Sequence, residues 1–160
     1  MSELKVAQQG EAILTLQASP VMAAEFASEW LSVFCRILHD TMQARQGVGI
    51  AAPQVYLSKC IIIVASRPNA RYPEAPEMDP ILMINPQIIQ RSEQSILGEE
   101  GCLSVPELRG QVARAAQIQV RYATLTGEEV EREFSGFPAR IVQHEIDHLE
   151  GILFVQRLNV

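Results

Sequence analysis

Hydrophobic and polar positions along the chain change period several times, and each change predicts an element. From about Val21 to Arg45 the residues Phe26, Trp30, Val33, Phe34, Ile37, Leu38 and Met42 recur at three- and four-residue steps. That spacing predicts a long amphipathic helix. Ser19-Pro20 supplies a candidate start, a capping hydroxyl followed by proline at the first helical position. Gly47 to Gln54 reads as a loop of small residues, and Cys60 to Ala65 as a short buried strand of β-branched residues. Arg67 to Pro80 holds Pro68, Pro73, Pro76 and Pro80 and reads as a surface loop. Ile81–Ile84 and Gln87–Arg91 read as strands broken at Asn85-Pro86. Ile118, Val120 and Tyr122 alternate with polar residues, a half-buried strand, and Thr126-Gly127 turns the chain into a further strand over Glu129–Phe134.

The last pattern is helical, from about Phe137 to Glu150, with Ser135 as candidate cap and Gly151 as candidate stop. Phe137, Ile141, His144 and His148 share one face; Val142, Ile146 and Leu149 share the opposite one. Arg140, Gln143, Asp147 and Glu150 form a narrow polar stripe between them. A helix apolar on two sides is buried. The chain therefore reads as α+β: mixed or antiparallel strands packed around this central helix, with one long N-terminal helix outside. At 160 residues, one domain over 1–160 is expected.

Within the last helix lies H-E-x-x-H, His144-Glu145-Ile146-Asp147-His148. Residues four apart lie on one helical face, so both histidines can reach one metal ion. Glu145, about 100° round the helix, cannot join them in line but can take a proton from a water that the metal activates. Two solvated histidines on a charged helix is the plain alternative, and the burial pattern argues against it. A catalytic site needs a third protein ligand and an open position. Cys35, Cys60, Cys102, His39 and the carboxylates are the candidates. Cys35 and Cys60 have the apolar neighbours of core thiols, and His39, beside Asp40, reads as surface. Cys102 stands out in Gly98-Glu99-Glu100-Gly101-Cys102-Leu103-Ser104, among glycine and charge. A metallopeptidase on the same helix would take a further His or Glu downstream, but of the twelve residues after His148 none is histidine.

Composition narrows the partners. Hydrophobic residues make up 48% and charged residues 20%, with a net charge of −6 from 13 Lys+Arg against 19 Asp+Glu. That balance argues against non-specific nucleic-acid binding and against a polybasic membrane surface. No run of apolar residues is long enough to span a bilayer, and the first residues lack the apolar core of a signal peptide. Three scattered cysteines without a C-x-x-C fit free thiols in a reducing compartment. A cytoplasmic protein is expected.

Three segments occur together in one order: Gly-Val-Gly-Ile-Ala-Ala-Pro-Gln at 47–54, Glu-Gly-Cys-Leu-Ser at 100–104, and Gln-His-Glu-Ile-Asp-His at 143–148. In these the chain resembles the peptide deformylase family. The resemblance spans about Leu14 to Phe154. It implies that Cys102, His144 and His148 hold one divalent transition metal, iron(II) natively, with zinc, nickel or cobalt as substitutes. It implies Glu145 as general acid and base, with the Gln54 amide and the Leu103 backbone N–H stabilising the developing oxyanion. The implied substrate is the N-formyl group on the initiator methionine of a nascent polypeptide, and the implied product is formate. Transient contact with the ribosome would go with that substrate. Gly47 and Gly49 would let a peptide main chain approach like an added strand. By the resemblance Val48, Phe137 and Ile141 are candidate walls for the methionine side chain, and Arg109 a candidate contact to the peptide backbone. Arg140 is a candidate rim residue, and Asp147 and Glu100 are candidate partners that orient ligands or pair with Arg114.

Overall fold

The structure is a computed structural model and describes residues 3–159. Helix α1 spans Glu29–Ala44, shorter at its start than the periodicity predicts. Its cap is Ser28, whose Oγ accepts from the Leu31 N–H at 3.3 Å, and not Ser19. Ala27 stands in the left-handed region at φ 60°, and the Glu25 carboxylate accepts from the Met22 N–H at 2.8 Å. These local bonds hold Ala23–Glu25 as a single 3₁₀ turn. Ser19 makes a bridge to Lys59 instead. The inward face of α1 is Leu31, Cys35, Leu38 and Met42, all buried, while Trp30 is 40% exposed beside Lys59.

Strands β1 (Gly49–Ala51), β2 (Ile61–Val64), β3 (Ile81–Arg91), β6 (Gln117–Ala123) and β7 (Glu129–Ser135) form one antiparallel sheet in the order β1-β2-β3-β6-β7. Strand β3 is continuous where the sequence predicts a break. Its register shifts between Ile84 and Gln87, with Asn85 at φ 53°. A bulge tolerates a proline because one residue leaves the ladder there. The Asn85 side chain pins it, accepting from Val21 N–H at 2.8 Å and donating to the Val21 carbonyl at 2.9 Å.

Alternation along β2 sorts the core. Ile61 and Ile63 pack with Leu31, Leu38 and Met42 of α1; Ile62 and Val64 pack with Ile141, Val142 and Leu149 on the other face. Those last three belong to helix α2, Gly136–Leu149. Ser135 occupies its cap position without a side-chain cap bond. Gly151 follows its end at φ 75°, and a Cβ there would lie 2.5 Å from the Thr15 carbonyl oxygen, so both conformation and space require glycine.

Strands β4 (Ser95–Cys102) and β5 (Val105–Ala115) form a separate hairpin that the hydrophobic pattern does not predict. Its outer residues Ile96, Leu97 and Leu108 are exposed, so apolar and polar positions do not alternate by burial. The polar stripe of α2 docks on this hairpin. Gln143 Oε1 accepts from Ala115 N–H and its Nε2 donates to the Ala115 carbonyl, both at 3.0 Å. Arg140, Gln143 and Asp147 are thereby buried, and only Glu150 faces solvent.

Candidate active site

Three segments of chain meet over α2. The end of β4 brings Cys102, the turn that follows brings Leu103 and Ser104, and the 3₁₀ turn Ala52–Val55 brings Gln54. Cys102 Sγ lies 3.4 Å from His148 Nε2. The ligand atoms of Cys102, His144 and His148 all fall within 4.8 Å of one another, and all three residues are buried. Among the described residues this is the only group of three or more His, Cys, Asp or Glu side chains whose ligand atoms all lie so close together. His39 is half-exposed, 3.9 Å from Asp40. Burial pushes the Cys35 thiol up to about 11 and raises the Cys60 thiol, as expected of core cysteines.

The site is held by a chain of ion pairs. Glu100 Oε1 lies 3.0 Å from His144 Nδ1 and 2.9 Å from Arg114 Nη2. Its Oε2 accepts from Arg114 Nε and Arg140 Nη1, both at 2.8 Å. Arg114 donates to Asp147 at 2.7 Å, and Asp147 accepts from Arg157 at 2.6 and 3.1 Å. Burial alone would raise the Glu100 carboxyl; the Arg114 and His144 hydrogen bonds overcome it and hold the group well below the ordinary carboxylate range. The bond to Glu100 occupies His144 Nδ1 and leaves Nε2 for a metal.

The donor set fits a transition metal. Burial opposes the thiolate at Cys102, but the charges and hydrogen bonds of His148 and His144 win and lower the thiol well below its ordinary value. One thiolate and two imidazoles are ligands of the kind zinc, iron, cobalt and nickel accept, and three of them leave a position open. Glu145 lies beside them, buried, with Oε1 unpaired. Its carboxyl is pushed up to about 7, first by burial, against the charges of His144 and His148. Gln54 is fixed on both ends: Oε1 accepts from Ala51 N–H at 2.9 Å, and Nε2 donates to Ser104 Oγ at 3.0 Å, 3.7 Å from Cys102 Sγ.

These groups open into a cavity lined by Val48, Gly49, Phe137 and Ile141 as well as by Gln54, Leu103 and Glu145. A Cβ on Gly49 would lie 2.6 Å from Glu145 Oε2 and 2.8 Å from Ile141 Cγ2, so no other residue fits without moving the carboxylate. Strand β1, which carries Gly49, is an edge strand.

The sequence model of the family described as polypeptide deformylase matches residues 3–160. The chain belongs to the polypeptide deformylase family. It is 48% identical over 154 residues to "Peptide deformylase 2" of Shewanella oneidensis, covering 96% of this chain and 83% of that one. A crystal structure of a class I type b peptide deformylase from Acinetobacter baumannii superposes with a TM-score of 0.97 at 61% identity, covering 99% of this chain and 100% of that one. A second structure of the Acinetobacter enzyme, bound to Met-Ala-Ser, gives 0.96 at 62% identity over the same shares. The Thermotoga maritima peptide deformylase gives 0.88 at 32%, with both chains fully covered.

Within this deformylase-family fold, Arg109 does not line the cavity. Its Nε pairs with Glu99 at 3.0 Å and its Nη2 with the Arg71 carbonyl at 3.0 Å, leaving Nη1 without a partner. Arg140 lines the cavity, but its guanidinium also binds the carbonyls of Ile96 and Val112 at 2.7 and 2.8 Å, so it fastens β4 and β5 to α2. Ser104, Arg157, Arg71 and Tyr72 go unnoticed in the sequence. Ser104 ends the Glu-Gly-Cys-Leu-Ser segment, but nothing there marks it as the partner of Gln54, and Arg157 has no local pattern. Tyr72 carries a faint signal, a lone aromatic in a proline-rich polar stretch.

Proposed function

We propose that the protein is a metal-dependent hydrolase that removes the N-formyl group from the initiator methionine of nascent polypeptides and releases formate. One observation carries the reading: a buried thiolate and two imidazoles converge on one point, beside an unpaired carboxylate whose proton affinity sits near neutrality, in a chain of the deformylase family. The peptide bound to the Acinetobacter relative supports a substrate with an N-terminal methionine.

A metal held by Cys102, His144 and His148 would polarise the formyl carbonyl and make water acidic enough to attack at neutral pH. Every other step falls to the chain's own groups. Glu145 takes the proton from water and returns it to the leaving amine; a group near 7 can do both. Negative charge develops on the formyl oxygen, where the Gln54 amide and the Leu103 N–H act as donors. Gln54 is pre-oriented by its bond from Ala51, so little reorganisation is needed when charge appears. Val48, Phe137 and Ile141 take the methionine side chain, and the edge at Gly49 takes the peptide main chain. Arg109, held outside the cavity by Glu99 and the Arg71 carbonyl, would contact the peptide backbone only further along.

Iron(II) is the proposed native metal, with zinc, nickel or cobalt accommodated by the same donors. A cytoplasmic setting and transient ribosome contact follow from the substrate. No described helix is long and apolar enough to cross a membrane. The decisive test is formate release from formyl-Met-Ala-Ser beside an acetyl-Met-Ala-Ser control, with anaerobic iron(II). Turnover of the formyl peptide alone is expected; none, or equal turnover of both, rejects the reading.

A further inference from the structure

The loop 67–80 contains no helix or strand, yet Tyr72 within it is fixed from several directions. Its hydroxyl accepts from the Gly101 N–H at 2.8 Å and lies 3.4 Å from the Gly101 carbonyl oxygen. A residue of a neighbouring strand exchanges this same pair of bonds in an antiparallel ladder. Here one side chain takes both, one residue before Cys102. The Tyr72 ring lies 4.9 Å from the Phe137 ring, tilted at 54°, and the Arg109 guanidinium stands 4.8 Å from the ring centre. Arg109 in turn grips the loop through the Arg71 carbonyl. Tyr72 and Phe137 line the same cavity as Ile141. Ring contact, cation and paired backbone bonds together make Tyr72 part of the cavity's structure.

We propose that Tyr72 is a specificity-determining residue whose ring closes the apolar side-chain pocket against Phe137 and sets the size of the N-terminal side chain accepted there. This rests on the deformylase reading of the same site. An aromatic ring held by three partners is a hard wall, and a hard wall rejects side chains too bulky for the space it leaves. Cutting it back to Cβ opens room beside Phe137, which a larger apolar side chain can fill.

The test uses metal-loaded wild type, Tyr72→Ala, Tyr72→Leu and Tyr72→Phe. Each is assayed for kcat/KM on formyl-Met-Ala-Ser and formyl-Phe-Ala-Ser, and for binding of the deformylated peptides Met-Ala-Ser and Phe-Ala-Ser by calorimetry. In Tyr72→Ala the preference for Met over Phe should shrink by about tenfold, the scale of one or two methylenes in an apolar pocket. Tyr72→Leu should show a smaller change in the same direction. Tyr72→Phe, which keeps the ring and loses only the hydroxyl, should keep the preference within about twofold, on the same scale. An unchanged Met/Phe ratio in Tyr72→Ala and Tyr72→Leu, or an equal loss on both peptides, overturns the proposal. The binding arm does not depend on turnover, so a wild type that fails to deformylate would sink the functional reading while leaving the pocket measurable.

Discussion

Glu100 Oε1 lies 3.0 Å from Nδ1 of His144, and the same carboxylate is gripped by Arg114 through two hydrogen bonds of 2.8 and 2.9 Å. A buried carboxylate behind an imidazole fixes the ring's tautomer and orientation and raises its basicity as a ligand. Here the carboxylate is itself fixed by two arginines, so the other ring nitrogen of His144, the one a metal would take, is aimed from a rigid base.

Glu100→Gln should therefore loosen the metal without removing any ligand. Removal of such an outer partner costs roughly 10–100-fold in metal affinity or activity. Competition against a chromophoric chelator measures the affinity. Cys102→Ala, which deletes a donor, should lose the metal altogether under the same conditions. An unchanged affinity in Glu100→Gln would show that His144 holds its position without the carboxylate.

Glu145→Gln separates binding from chemistry. The side chain keeps its size, the metal donors are untouched, and metal content should match wild type. Turnover should fall by about 10²–10⁴, the usual contribution of a general base. Metal analysis beside formate release reads both quantities from one preparation, and a variant that hydrolyses at the wild-type rate removes Glu145 from the mechanism.

Much of this site is legible in the sequence because its chemistry sits on short motifs. H-E-x-x-H declares its own geometry once the helix is recognised, and the apolar residues on both of its sides bury it. The hairpin β4–β5 is another matter. Leu97 and Leu108 are exposed on it and Glu100 is buried, so the usual reading of apolar as inward gives the wrong face. It is held by pairing over Ser95–Cys102, by the Arg114–Glu100 ion pair between its two strands and by Arg140 of α2 beneath it, contacts without a local period. The start of α1 fails for a different reason. Phe26 continues the helical spacing, but the left-handed Ala27 and the Ser28 cap terminate the helix between them, and periodicity does not register backbone dihedrals.

Gly49 tests how tightly the cavity is built. Gly49→Ala places a methyl against the Glu145 carboxylate and the Ile141 side chain, at 2.6 and 2.8 Å, so one of them must shift. A displacement of about 1 Å at a catalytic group can cost about 10²-fold in rate. The expected outcome is a large loss of kcat/KM with metal content retained and a melting temperature lowered by a few degrees at most. Activity within a factor of about two of wild type would mean that the carboxylate can move without penalty, contrary to that cost.

Acid stability of the metal-free protein gives the last prediction, and its sign follows from the direction in which Glu100 is shifted. Its folded carboxyl is held well below the ordinary range, whereas in the unfolded chain it takes up a proton near pH 4.3. Stability from this group is thus complete above about pH 5 and is lost as pH falls through the ordinary carboxylate range toward the folded value. In that window the unfolded state binds up to one more proton, a slope of about 1.4 kcal/mol per pH unit at its steepest. His144 adds none of it: its folded value is raised, by Cys102 and Glu100 against burial, so below pH 5 it is protonated in both states. Glu100→Gln should lose this component, and urea unfolding followed from pH 5 to pH 2.5 should show a shallower decline than wild type. Equal slopes in the two proteins would mean that the carboxyl titrates normally and that the arginine grip is not felt in solution.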